Sequence, residues 1–287
     1  MIDLHIHTNN SDGHLDSISV LKKAEANHLK VISITDHNNV LAYSQIDNIS
    51  KYYQGKLIPG VELEFLYNGI LMDMLGYNID INKISKDPFL LNNLEHTTLE
   101  KENKNLKFFE SVCDKLGIIY SPNLMVTKKG QMANDVIRDD IITYLENESI
   151  LKQMNIIEGG FSWNHMRNPK SPFYIDQTIN KETIYSVAKM IKDAGGICFL
   201  AHPYAYQVPD IEKVLEEIIQ LKVLDGIEVY HKRHTKENTE YLIDFCNKHG
   251  LKKCGGSDFH HENQILGFGN HGTLKIDETI INDWYHH

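Results

Sequence analysis

Seven short apolar runs punctuate the chain: Ile2–Ile6, Val31–Thr35, Leu57–Glu64, Ile70–Tyr77, Ile197–Ala201, Gly226–Tyr230 and Lys252–Gly256. Each has the length and composition of a β-strand. Between them the apolar residues shift to spacings of three and four, over Ser17–His28, Thr183–Ala194, Ile211–Leu221 and Lys236–His249. That spacing predicts amphipathic helices. Strand–helix alternation with short connections predicts parallel strands, and seven of them favour a barrel over an open sheet. One stretch breaks the rhythm. From about residue 87 to 171 no strand pattern stands out, and Leu90–Leu116 and Gln131–Glu146 read as polar helices. The expected organisation is therefore an α/β barrel from 1–87 and 171–287, with a helical insertion after the fourth strand at 88–170. The insertion is expected to cap the pocket and restrict substrate size.

The polar residues fall at the strand ends. His5 and His7 close the first run, Asp36 and His37 the second, Glu62 and Glu64 the third. His202 follows the fifth, Glu228 lies in the sixth, and Asp258 and His260 follow the seventh. In a parallel barrel the strand ends meet at one face, so these groups converge although 250 residues separate the outermost. On a strand, residues two apart share a face, which would aim His5 with His7 and Asp258 with His260. Imidazole and carboxylate donors together suit borderline divalent ions. Asp73 interrupts the apolar run Ile70–Leu75, and burying it unpaired would cost on the order of several kcal/mol, which a metal partner removes. Glu228 is expected to orient a ligand rather than to be one.

Composition narrows the picture. The formal charge of −10 disfavours a long nucleic acid as partner, which would call for a basic surface. The four cysteines form no CxxC pair, and no 18-residue apolar stretch suggests a membrane span. A reduced, cytoplasmic setting is expected, while the oligomeric state is left open. His286-His287 resembles a tag remnant and is set aside.

The segments HIHTNNSDG (5–13), ITDHN (34–38), PGVELE (59–64), AHP (201–203), GIEVY (226–230) and GGSDFH (255–260) resemble, in order, the motifs of the polymerase and histidinol phosphatase (PHP) family. The resemblance is strongest to its free-standing phosphoesterases, which include nucleoside 3′,5′-bisphosphate phosphatases. It implies a distorted (β/α)7 barrel holding three divalent ions (Mn²⁺, Fe²⁺ or Zn²⁺). By motif, His5, His7, Glu62 and Asp258 would hold the first ion. Glu62 would bridge to a second, completed by His202 and Asp73, and Asp12, His37 and His260 would hold the third; the SDG pattern favours Asp12 over His14. Many relatives carry His where this chain has Asp73, a change toward harder ions such as Mn²⁺. Relatives also often carry an Arg and a His in the insertion, where this chain has Asn134-Asp135-Val136. Arg138, one turn further on, is the substitute expected to bind substrate.

Such a site would hydrolyse a small phosphorylated, nucleotide-like phosphomonoester by metal-activated hydroxide. His234 is the candidate for a protonated histidine that assists the leaving alcohol. Of the three arginines, Arg138, Arg167 and Arg233, Arg233 is the best placed to hold phosphate beside it. The alternatives are a 5′–3′ exonuclease on short oligonucleotides, a histidinol-phosphate phosphatase, and a degenerate, non-enzymatic metal-binding barrel. An amidohydrolase would share the HxH start but not the SDG, Glu62 and SDFH elements.

Overall fold

Each of the seven runs forms a strand, largely buried along its length. The computed structural model describes all residues except 97–98, 129, 157–160, 162–164, 167, 177–180, 207, 270–273 and 286–287. Arg167 and the terminal histidines therefore lie outside the described residues. The strands of the main sheet are β1 (Ile2–Ile6), β2 (Val31–Ile34), β3 (Lys56–Tyr67), β4 (Ile70–Tyr77), a two-residue β5 (Glu182–Thr183) beside β3, β6 (Ile197–Leu200), β7 (Gly226–Tyr230) and β8 (Lys252–Gly255). They are ordered β1-β2-β3-β4-β6-β7-β8. A parallel bridge from Ile6 to Phe259, beyond β8, draws the two edges together. The sheet is thus a nearly closed, distorted seven-stranded barrel.

The expectation of uniformly parallel strands is corrected at β4, which runs antiparallel to both β3 and β6. Only Asn68 and Gly69 separate β3 from β4, and both have positive φ (49° and 78°). A two-residue link cannot make the crossover that parallel strands need, whereas Asn-Gly with two positive φ angles suits a tight hairpin turn. Reversal of β4 also accounts for the mid-strand position of Asp73. Asp73 pairs with Glu64, and Ala201 at the end of β6 donates its N–H to the Asp73 carbonyl at 3.0 Å. The first half of β4 therefore lies level with the C-terminal ends of its neighbours.

The helices start where side chains can accept their free N–H groups. Asp16 caps Ser17–Ala26, Asp210 caps Ile211–Gln220, and Thr183 and Thr235 form capping boxes on Ile184–Asp193 and Lys236–His249. Their inward faces are apolar, as with Val20, Leu21 and Ala24 or Val187, Ala188 and Ile191. One core cluster gathers Ile2, Leu4, Val31, Ile58, Leu75, Tyr77, Phe199 and Cys254, six strands in all, with Ile276, Ile281 and Trp284. All four cysteines are buried and unbridged.

The chain divides into two units, residues 1–93 with 180–287, and residues 94–179. The second is built on helices Leu99–Leu116, Ala133–Ile141 and Glu148–Gln153. Its core includes Leu106, Phe109, Val112, Ile137, Ile141 and Phe173. Buried Asn147 ties it together, accepting from Ile119 N at 2.8 Å and donating to the carbonyls of Ile119 and Ile141.

Candidate metal centre

His5, His7, Asp12, His37, Glu62, Asp73, His202, Asp258 and His260 come together in four overlapping groups of donors. In each group the donor atoms lie within 4.8 Å of one another. Glu62 Oε2 sits at the centre, 3.2 Å from each of His5 Nε2, His7 Nε2 and His37 Nδ1. It has no hydrogen-bond partner, nor have Asp12 Oδ1, Asp73 Oδ1 and His37 Nδ1. Two donors about 2.1 Å from one ion, at ordinary coordination angles, stand roughly 3.0–3.4 Å apart. Buried donors facing one another at that spacing, without a proton aligned between them, are the arrangement a cation fits.

Neighbouring groups aim these donors. Glu228 Oε1 lies 2.9 Å from His5 Nδ1, and its other oxygen accepts from His202 N at 2.8 Å. A proton on His5 Nδ1 leaves Nε2 bare toward the cluster. Likewise His260 Nδ1 faces the Asp258 carbonyl at 2.9 Å, which leaves Nε2 directed at Asp12 Oδ2, 3.2 Å away. His202 Nε2 lies 3.0 Å from Glu62 Oε1 and 3.8 Å from Asp73 Oδ2. Asp36 turns away from the donors. It accepts from Thr8 N, Thr8 Oγ1 and Ser11 Oγ, each at 2.7 Å, and so shapes the loop that carries Asp12. Gly13 in that loop packs where a Cβ would lie 2.5 Å from the His7 carbonyl oxygen.

Asp258 and His260 are not carried on a strand, contrary to the spacing argument. Asp258 has φ +48°, the left-handed region that ordinary side chains avoid. Its donors are aimed instead by a turn anchored on buried Asp3, which accepts from His5 N, Ser257 N, Ser257 Oγ and Gly267 N at 2.6–3.2 Å. His202, also strained at φ +26°, precedes Pro203.

Charge in the cluster is balanced by position. Burial alone would raise Glu62, but His5 and His37 hold it well below the usual carboxylate range. Burial pushes His5 down, yet the Glu62 and Glu228 carboxylates raise it well above the ordinary histidine value. Asp73 is different: burial, with Glu62 adding to it, lifts it to about 6.

Other expected roles fare differently. His234 is fully buried with Nδ1 3.1 Å from the Val229 carbonyl, and burial pushes it down to about 4. It is therefore a neutral imidazole near pH 7, poorly suited to be the protonated acid. Arg233 is exposed, and its neighbour Lys232 contacts Asp258 Oδ2 at 2.9 Å. Arg138, in the second unit, turns its guanidinium onto Asp139 at 2.5–2.9 Å and lies 4.0 Å from Asp135. His14 is exposed beside His261, outside the donor groups.

Sequence reasoning passed over His231. Its Nδ1 accepts from Arg233 N at 3.1 Å, so Nε2 carries the proton and donates to Asp258 Oδ2 at 3.2 Å. Burial drives it down to about 3, which keeps that neutral tautomer. Its signal was its place in Tyr230–His234, immediately after a strand of the barrel.

The PHP domain model matches residues 3–146, and the chain belongs to the PHP family. A 5′-3′ exoribonuclease of Haemophilus influenzae is 25% identical over 98% of this chain and 97% of its own length. A 3′,5′-nucleoside bisphosphate phosphatase of Chromobacterium violaceum is 22% identical over 90% of this chain and 87% of its own. A Chromobacterium violaceum structure described as an amidohydrolase with bound sulfate and no metal shares the fold, with a TM-score of 0.69 and 21% identity over 93% of this chain and 89% of that one.

Proposed function

We propose that the protein is a metal-dependent phosphoesterase that hydrolyses a small, nucleotide-like phosphomonoester. Three divalent ions would be held by the donors that the cluster gathers. His5, His7, Glu62 and Asp258 would take the first, Glu62, His202 and Asp73 the second, and Asp12, His37 and His260 the third. The observation that carries this reading is buried Glu62 Oε2, 3.2 Å from three imidazole nitrogens with no hydrogen-bond partner. Bound ions there would neutralise phosphate charge and supply hydroxide near neutral pH. The protein's own part is orientation: Glu228 sets His5 and the backbone of His202, Asp36 sets the Asp12 loop, and Asp3 and His231 set Asp258. The carboxylate at Asp73 favours a hard ion such as Mn²⁺ in the second position.

A second reading, 5′–3′ exonuclease action on short oligonucleotides, is favoured by the match to the Haemophilus influenzae relative along nearly the whole chain. Elemental analysis of Mn²⁺-loaded protein, followed by turnover of a nucleoside 3′,5′-bisphosphate and of a 5′-phosphorylated trinucleotide, separates the two. More than one metal per chain with preference for the bisphosphate supports the first reading; stepwise release of 5′-nucleotides supports the second. Protein that binds no metal refutes both. Among the described residues no helix is long and apolar enough to cross a membrane.

A further inference from the structure

The clustered donors suit cations, while a phosphorylated substrate's own charge calls for a protein cation beside them. Arg138 is engaged by Asp139, Arg233 is exposed, and Lys181 is taken up by Glu64. Lys232 stands apart. Its Nζ donates to the Asp258 carbonyl at 2.6 Å and contacts Asp258 Oδ2 at 2.9 Å, while the side chain keeps 27% of its surface exposed. An ammonium has three N–H groups, and these contacts use two.

Burial would raise Asp258, but Lys232 is its counter-ion and helps hold it well below the usual carboxylate range. Neutral His231 also donates to Oδ2, and Oδ1 faces His7 Nε2 at 3.3 Å, so one N–H of the ammonium is left for a further acceptor. Resting on the phosphoesterase reading, we propose that Lys232 is a substrate contact. Its third N–H would meet a non-bridging oxygen of the phosphate held beside Asp258, the contact for which Arg233 and Arg138 looked suited from sequence. A flexible stem bearing a compact charge suits this task, since the ammonium can follow the phosphate while the Asp258 carbonyl anchors it. His231 keeps Asp258 in place whether or not substrate is present.

The test is calorimetric titration of inorganic phosphate into Mn²⁺-loaded protein, with metal content measured on the same samples. Lys232→Gln keeps an N–H for Asp258 and removes the charge; Lys232→Arg keeps both. The expected result is about tenfold weaker phosphate binding in Lys232→Gln, a matching rise in KM for a nucleoside bisphosphate, unchanged metal stoichiometry, and recovery in Lys232→Arg. Wild-type phosphate affinity in Lys232→Gln overturns the proposal. So does weakening that merely tracks lost metal, which would make Lys232 a support for Asp258 and nothing more. Wild-type protein that loads metal but binds no phosphate instead overturns the phosphoesterase reading, and this inference with it.

Discussion

His5-x-His7 and Asp258-x-His260 share a spacing but are built in opposite ways. The first pair continues a buried strand, with His5 N–H and C=O taken up by Asp3 and Phe259. The second pair sits in a turn with Asp258 at φ +48°, kept there by hydrogen bonds to Asp3, His231 and Lys232. Equal spacing therefore delivers equal function through unequal supports. Strand-borne donors inherit their aim from the sheet, and turn-borne donors depend on a few buried anchors. Gly256 shows how closely the two arms are joined, since a Cβ there would lie 2.3 Å from His5 Cβ.

The harshest way to break this contrast is Asp3→Ala. It strands four buried donors, and at about 1 kcal/mol or more apiece the fold should lose roughly 4 kcal/mol or more. Urea unfolding of the metal-free protein measures it; a loss under about 1 kcal/mol would mean the turn holds itself. On the strand side, Asp73→Ala should lower metal stoichiometry by one while leaving stability nearly unchanged, because Asp73 Oδ1 has no partner to strand. Asp73→His should restore the ion and shift preference toward Zn²⁺. Unchanged metal content with a large stability loss would remove Asp73 from the ligand set.

A subtler effect separates the arms at His231. His231→Phe should weaken Mn²⁺ binding about tenfold, the usual scale for a group that orients a ligand, and His231→Gln, which keeps a donor, should recover much of it. Equal thermal stability in the two variants with equal metal affinity would reduce His231 to packing. The mildest lever is pH. The acidic and basic donors raised in the metal-free protein, Asp73 to about 6 and His5 and His37 above their ordinary value, must release protons when an ion binds. Metal affinity should therefore rise from pH 6 to 8, with proton uptake by buffer visible as a buffer-dependent binding enthalpy. Affinity independent of pH in that range would argue that these groups are already bare.

Much of this was legible in the chain. The seven strands were visible because each is a buried run of aliphatic residues, and the amphipathic helices because their period is plain. The direction of β4 is also written there, in Asn68-Gly69, because a link of two residues cannot be a crossover. Seven of the nine donor residues could be nominated because strand ends converge in a barrel, and Asp73 because it interrupts an apolar run, whereas Asp12 rested on the resemblance of its SDG motif. The left-handed backbone at Asp258 could not, because it arises from hydrogen bonds to Asp3, which is remote in sequence. His231 was hidden for a similar reason: what it does is defined by Asp258 across the loop.

Closure of the sheet through Ile6 and Phe259 has a consequence for the timing of synthesis. The donors run from His5 to His260, so the first histidines to leave the ribosome wait for nearly the whole chain before the last of their partners exist. Contacts so distant in sequence make for slow folding. His5 and His7 have Asp12, Glu62 and Asp73 early in that interval but lack Asp258 and His260 until its end, so the full donor set forms only when synthesis is nearly over.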